Sequence, residues 1–249
     1  MVNAAIKERA HMLVLPENYV PLEWLMPLAR KAASEHLAVI TGIEHVFVGR
    51  KVYNLTAVIL PYKLFDTVPT AAIIFQLKTN YSPEETHQIE GHGFDVVSGE
   101  DNTRPLYRWN DCYFPVYCCF ELASIKARAG YMSWADMIVA IEHNKDTNYF
   151  SSIVESLTRD MHCYCVQVNS SEYGDSRITQ PTSSVLRNLL SVKGGLNHTI
   201  LTGDIDIKGL REFQIKDYSL QKDGVFKPTP PGYSVEIVRK KIKQAKSAK

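Results

Sequence analysis

TNYFSSIVESLTRDMHCYCVQVNSSEYGDSRITQP, residues 147–181, carries three elements in one line. Phe150, Ile153, Val154 and Leu157 fall on one stripe at the helical period, which predicts a helix over 147–162. CYCVQVN (163–169) and SRITQP (176–181) are short runs separated by polar turn residues, and they predict two strands. A helix feeding a strand asks for a layered α/β fold. A strand that returns without an intervening helix asks for a pair outside a purely parallel sheet.

The same grammar extends in both directions. Strands are predicted at 12–16 (MLVLP), 38–41 (AVIT), 51–61 (KVYNLTAVILP), 70–77 (TAAIIFQL), 113–118 (YFPVYC), 136–141 (DMIVAI) and 198–206 (HTILTGDID). Helices are predicted at 22–36 and 121–130, the second stopping at Gly130. The pair 38–41 with 51–60 repeats the hairpin-like relation of 163–169 with 176–179. The expectation is an α/β domain with mixed sheets over residues 1–220, followed by a C-terminal extension over 221–249. From Val238 onward the chain has six basic residues and no acidic one, which predicts a frayed, partly disordered basic tail.

Composition narrows the function classes. The 249 residues include 28 Lys+Arg and 27 Asp+Glu, a net charge of +1, with 45% apolar and 22% charged residues. These values exclude wholesale disorder. They also exclude nucleic-acid binding driven by a global excess of positive charge. No run reaches the roughly 18 apolar residues of a membrane helix, and Met1–Ala10 lacks the apolar core of a signal peptide. Cys112, Cys118, Cys119, Cys163 and Cys165 form no C-x-x-C pair, so a zinc cage is not expected. Cys163 and Cys165 would share one strand face about 7 Å apart, too far for an easy disulfide. Free thiols in a reducing cytoplasm are the simplest reading.

Three polar residues follow apolar strand runs directly: Glu17 after MLVLP, Lys78 after TAAIIFQL, and Cys119 after YFPVYC. In layered α/β folds the carboxyl ends of strands are where sites assemble. A carboxylate can take a thiol proton as general base, and an ammonium can hold the oxyanion formed when the thiolate attacks. A cysteine at a strand-to-helix turn would also have the Phe120 backbone N–H beside it as a second oxyanion donor. Each residue has an ordinary reading too: a surface loop for Glu17 and Lys78, an inert core thiol for Cys118 or Cys119.

MLVLPE (12–17), QLKTNYSPEE (76–85) and CFEL (119–122) resemble, in this order, the three signature segments of the carbon–nitrogen hydrolase (nitrilase/amidase) superfamily. Further likeness lies in TGIEH (41–45), VYNLTAVI (52–59), RDMHCYCVQVN (159–169) and YGDSRITQP (173–181), so the resemblance spans roughly residues 5 to 215. It implies a four-layer αββα sandwich with Glu17 as general base, Lys78 as oxyanion stabiliser and Cys119 as nucleophile. Cys119-Phe120-Glu121 fits the family's cysteine–aromatic–acidic pattern. Cys118 does not, and is expected to be the last buried strand residue. A further glutamate that supports the lysine is expected at Glu85, with Glu84 and Glu90 as competitors. The implied reaction is hydrolysis of an amide or nitrile through a thioester, with no metal or organic cofactor. An acyltransferase, or a silent nitrilase-fold interaction module, would use the same residues.

Two departures stand out. Only about a dozen residues precede the P-E segment, so the family's first strand is expected to be missing, which would expose a sheet edge. The arginine that many members place after the cysteine motif is replaced by Lys126 and Arg128 at shifted positions. Residues 144–164 also resemble nitrilase-like domains at the end of bacterial reverse-transcriptase polypeptides linked to phage defence. That likeness implies a larger parent protein, with nucleic acid contacted only through a fused domain. The family resemblance further implies a homodimer or higher oligomer built on stretches 121–130 and 147–162, a small-molecule substrate, and no membrane partner.

Overall fold

A computed structural model of the protein describes residues 1–99, 104–195, 199–222 and 224–247. In chain order, α1 (Val2–Lys7) leads into β1 (Met12–Val14), and α2 (Leu25–Glu35) into β2 (Ala38–Gly42). Two short strands, β3 (Val46–Val48) and β4 (Lys51–Tyr53), precede the long hairpin of β5 (Leu55–Leu64) and β6 (Val68–Leu77). Then come α3 (Pro83–Gly91), β7 (Asp95–Val97), β8 (Tyr107–Trp109), β9 (Cys112–Phe114) and β10 (Val116–Cys118). The second half holds α4 (Ile125–Ala129), β11 (Met137–Glu142), α5 (Thr147–Asp160), β12 (Tyr164–Asn169), β13 (Ser176–Thr179), β14 (Asn188–Val192), α6 (Ile207–Gln214) and α7 (Val235–Ser247).

Two mixed sheets form the body. The first has the order β1-β2-β5-β6 and the second β10-β11-β12-β13-β14. β1–β2, β10–β11 and β11–β12 are parallel; β2–β5, β5–β6, β12–β13 and β13–β14 are antiparallel. Both hairpin-like pairs read from the sequence are thus antiparallel ladders, with Val39 opposite Ile59 and Val166 opposite Ile178.

Side-chain alternation along each strand builds the layers. Ala38, Ile40 and Val58 of the first sheet meet Val139, Ile141 and Val166 of the second in one core. The opposite face of the first sheet, with Val39, Ala57 and Ile59, packs on Leu25, Ala29 and Ala32 of α2. The opposite face of the second, with Ile138, Ala140 and Cys165, packs on Phe150, Ile153, Val154 and Leu157 of α5. The result is a four-layer αββα sandwich. The stripe on α5 that a partner subunit could have used is therefore spent on its own sheet.

Several sequence expectations need correction. Pro115 cannot donate to a ladder, and the strand expected over 113–118 breaks there into β9 and β10. The helix over 121–130 is a 3-10 turn at Cys119–Ala123 followed by the short α4. The strand expected at 198–206 does not form: His198 lies outside the described residues, and 199–206 is a largely exposed loop with no ladder partner. Among the described residues the last strand is β14.

The basic C-terminal stretch forms α7 as far as Ser247, and residues 248–249 lie outside the described residues. Val238 and Lys241, three apart, are fully buried on one face, while the neighbouring cations stay on others. Lys241 Nζ lies 2.7 Å from Asp136 Oδ1 and donates to the Trp134 carbonyl at 3.0 Å. Arg211 of α6 holds the other oxygen of Asp136 at 2.6 Å. A buried carboxylate more than a hundred positions upstream thus gives this run of positive charge a place in the interior.

Candidate active site

The carboxyl ends of β1, β6 and β10 converge at one end of the sandwich. β1 ends at Val14, and the chain turns through Pro16 to Glu17. The turn is braced by Gly42, whose amide donates to the Pro16 carbonyl at 2.9 Å. A Cβ on Gly42 would fall 2.3 Å from Asn18 N and 2.5 Å from Glu17 Cα, so only glycine lets this backbone approach. Lys78 follows β6, and its amide donates to the Asn54 carbonyl at 2.9 Å. Cys118 closes β10. Cys119, the next residue, has φ +48, in the left-handed region, and starts the 3-10 turn. That reversal is the sharp strand-to-helix elbow expected of an exposed nucleophile.

Glu17, Lys78 and Cys118 meet in a buried knot. Lys78 Nζ is 2.7 Å from Glu17 Oε1, with both side chains almost wholly buried. The same ammonium lies 2.6 Å from Glu85 Oε2. Glu85 is held at the start of α3, where its amide donates to the Ser82 hydroxyl at 3.2 Å. Of the three glutamates considered, Glu84 instead pairs with Lys145 on the surface, and Glu90 is exposed.

Cys118 Sγ donates to Glu17 Oε1 at 3.1 Å, so the residue expected to be a mere strand end touches the carboxylate. It is 1% exposed. Cys119 is half-buried and packs beside the α5 core. Phe120, which follows it, is exposed.

The electrostatics follow from burial in the company of charge. Burial alone would raise the Glu17 pKa, but the Lys78 ammonium and the hydrogen bonds from Lys78, Cys118 and Asn54 bring it below the ordinary glutamate value. Burial alone would lower Lys78, but the Glu17 and Glu85 carboxylates and the nearby sulfurs hold it well above the ordinary lysine value. Burial, reinforced by Glu17, pushes both Cys118 and Cys119 well above the ordinary thiol value, with Lys78 opposing. The resting site is therefore a carboxylate–ammonium pair beside two protonated thiols, not a preformed thiolate.

Other residues shape the site that spacing arguments did not single out. Asn54 Nδ2 donates to Glu17 Oε1 at 2.8 Å and to Glu85 Oε1 at 3.1 Å, tying both carboxylates together. The His143 amide donates to Glu17 Oε2 at 3.1 Å. Glu121, fully buried, accepts from the amides of Cys118 at 2.9 Å and Thr79 at 2.7 Å. Its charge is met by Arg104 at 2.6 Å. One carboxylate thus clamps the ends of β6 and β10 to each other. A polar residue between two apolar runs, as at Asn54, was the available signal for the first of these.

No protein-family model matches the chain, and no curated protein matches it in sequence. Solved structures do. The NitN amidase of Nesterenkonia sp. AN1 superposes with a TM-score of 0.57 at 15% identity, over 78% of this chain and 80% of that one. A cysteine-to-serine mutant of the same amidase, described as a member of the nitrilase superfamily, gives 0.58 at 15% identity over 78% of this chain and 79% of that one. XC1258 of Xanthomonas campestris, a CN-hydrolase superfamily protein with an arsenic adduct in its active site, gives 0.62 at 11% identity over 85% of each chain. The chain has the nitrilase fold. These neighbours carry nothing toward the likeness of residues 144–164 to reverse-transcriptase-linked domains. Among the described residues, the first sheet begins at β1, which pairs with β2. No helix among the described residues is long and apolar enough to cross a membrane.

Proposed function

We propose that the protein hydrolyses a non-peptide C–N bond, an amide or nitrile, through a cysteine thioester, with Cys119 as nucleophile, Glu17 as general base and Lys78 as oxyanion stabiliser. The observation that carries this reading is the 2.7 Å contact of Lys78 with Glu17 beside a cysteine on a left-handed elbow. The fold shared with amidases supports it.

The resting charges dictate how the reaction starts. Moving a proton from the Cys119 thiol to Glu17 before attack is uphill by more than the ordinary gap between a thiol and a carboxylic acid. In this reading the thiol proton passes to Glu17 as the sulfur attacks. As the C–S bond forms, the carbonyl π pair moves onto oxygen, and Lys78 with the Phe120 N–H receives the developing charge. Glu17, now protonated, gives its proton to the leaving nitrogen as the C–N bond breaks. Glu17 then deprotonates a water that attacks the thioester, releasing the acid and restoring the thiol. Glu85 and Asn54 act through Lys78 and Glu17 as positioning residues.

Fluoroacetamide forms a covalent adduct with the active-site cysteine of a glutamate-to-glutamine mutant of the Nesterenkonia amidase. A panel of small amides and nitriles, read by ammonia release, is the direct assay. Turnover lost in Cys119→Ala and kept in Cys118→Ser, with both variants melting near the parent temperature, supports the reading. Turnover kept in Cys119→Ala contradicts it. The same fold could serve as a regulatory module, a reading favoured by thiols held protonated in the resting state. Absence of turnover across the panel supports that alternative.

A further inference from the structure

The two oxygens of the Glu17 carboxylate are held unequally. Oε1 accepts from Lys78 Nζ at 2.7 Å, from Asn54 Nδ2 at 2.8 Å and from Cys118 Sγ at 3.1 Å. Among the described residues Oε2 accepts from the His143 amide at 3.1 Å and from no other group. A carboxylate offers about two acceptor sites per oxygen, so three donors leave Oε1 no room for a fourth, whereas Oε2 keeps one site open. A proton leaving Cys119 or water therefore has one place to go, the oxygen on the His143 side.

The three donors on Oε1 differ in what keeps them there. Lys78 is held by charge, and that attraction is lost once Glu17 carries the proton and the ammonium attends the oxyanion. Asn54 and Cys118 are neutral donors and do not depend on it. Asn54 is shared with Glu85 Oε1 at 3.1 Å. The Cys118 thiol has a single proton, and the other acceptor in its reach, Asn54 Oδ1, is longer at 3.9 Å and uncharged. The proton therefore points to Glu17. Burial, reinforced by the Glu17 charge, holds this thiol well above the ordinary value, so it stays a donor through the neutral range. Packing does not ask for sulfur here: Cys118 sits in the apolar core with Val116 and Ile141, where valine or alanine is an ordinary occupant. Either would take one donor from Glu17.

We infer that Cys118 is a positioning residue for the general base: its thiol pins Oε1 of Glu17 through the whole cycle, and Oε2 alone exchanges protons with Cys119, the leaving nitrogen and water. The proton of Cys118 stays on its sulfur throughout. This inference rests on the proposed hydrolase reaction for its kinetic consequence, while the thiol–carboxylate contact can be tested without turnover.

The test compares Cys118→Ser, which keeps a donor, with Cys118→Ala and Cys118→Val, which do not and which bracket the thiol in volume. The other ionisable groups around the pair are Lys78, Glu85, Cys119, Glu121, Glu142 and His45, and they are the same in every variant. The first readout is the S–H stretching band of Cys118, assigned by its loss in Cys118→Ala. A donated thiol absorbs at lower frequency than a free one, so this band should lie below those of the other four thiols and move toward them in Glu17→Gln. The second readout is the pH profile of ammonia release. In Cys118→Ala and Cys118→Val, kcat should fall about threefold to tenfold, the worth of one hydrogen bond, with KM unchanged. The acid limb should move to higher pH, because Glu17 loses a donor that favours its charged form. Cys118→Ser should restore both to within about twofold of the parent. A Cys118 band among those of the other thiols, or an acid limb unmoved in the alanine and valine variants, overturns the inference. So does a serine variant as impaired as the alanine one, which marks a packing role. Absence of turnover in the parent overturns the hydrolase reading instead, and the infrared band then decides whether Cys118 holds Glu17.

Discussion

Glu17 and Lys78 are 61 positions apart in sequence and 2.7 Å apart in space, and neither side chain is more than 4% exposed. A buried ion pair is costly to desolvate and costlier to break, because removal of one partner leaves the other charged and unmet. Glu17→Gln leaves Lys78 with Glu85 and removes the proposed base. It should lower kcat by at least about a hundredfold and reduce stability by about 3 kcal/mol. Ammonia release and urea denaturation read the two effects separately. Unaltered kcat would remove Glu17 from the reaction.

Gly42 offers a purely steric test. Its missing Cβ makes room for the backbone of Glu17 and Asn18. Gly42→Ala must move that backbone, so activity should fall by an order of magnitude or more, since small displacements of reacting groups cost heavily. A matched Gly91→Ala change, where a Cβ meets nothing, should leave activity at the parent level.

Glu121 clamps the elbow from behind. Glu121→Gln keeps the shape but removes the buried carboxylate charge that faces Arg104. The expected loss is about 3–5 kcal/mol of stability, measured as a lower urea midpoint, with a parallel loss of turnover as the Cys118–Cys119 turn loosens. A variant as stable as the parent would mean that the clamp is dispensable.

Glu142 sets a pH dependence outside the reaction. Burial holds its carboxyl up at about 8, helped by the neighbouring Glu17 charge and opposed by the Gln167 hydrogen bond. An exposed glutamate titrates near about 4.3. The folded protein thus keeps a proton that the unfolded chain has released. The associated stability is fully present below about pH 4 and is lost as pH rises toward 8, by up to about 5 kcal/mol. Glu142→Gln should flatten this slope, with the larger gain at about pH 8 than at about pH 5. Parallel pH profiles for variant and parent would contradict the assignment.

Much of this architecture could be read from periodicity because the relevant residues report their surroundings locally. The stripe on α5 and the apolar runs of β2, β5, β6, β11 and β12 needed no partner to be recognised. The elements that were misread depend on distant partners. The C-terminal cations look solvated until Asp136 supplies a buried anion for Lys241. The run at 198–206 looks like a strand, but the described part of it finds no edge to join. At the site, three residue types and their flanking motifs were legible. The contact of Cys118 with Glu17 and the upward shift of both thiols were not, because they arise from packing density around a charge rather than from spacing.

The raised thiols carry a further consequence. Iodoacetamide, which reacts with thiolate, should modify Cys118 and Cys119 slowly near neutral pH, with rates that climb as the pH is raised. Rapid labelling of Cys119 at neutral pH would show a thiolate already formed.

The central claim is that Cys119 forms the bond to carbon. Fluoroacetamide treatment of the Glu17→Gln variant, followed by peptide mass mapping, addresses it directly. The account predicts one carbamoylmethyl adduct, on Cys119, and none when Cys119→Ala is added. An adduct on Cys118, or no adduct at either residue, contradicts it.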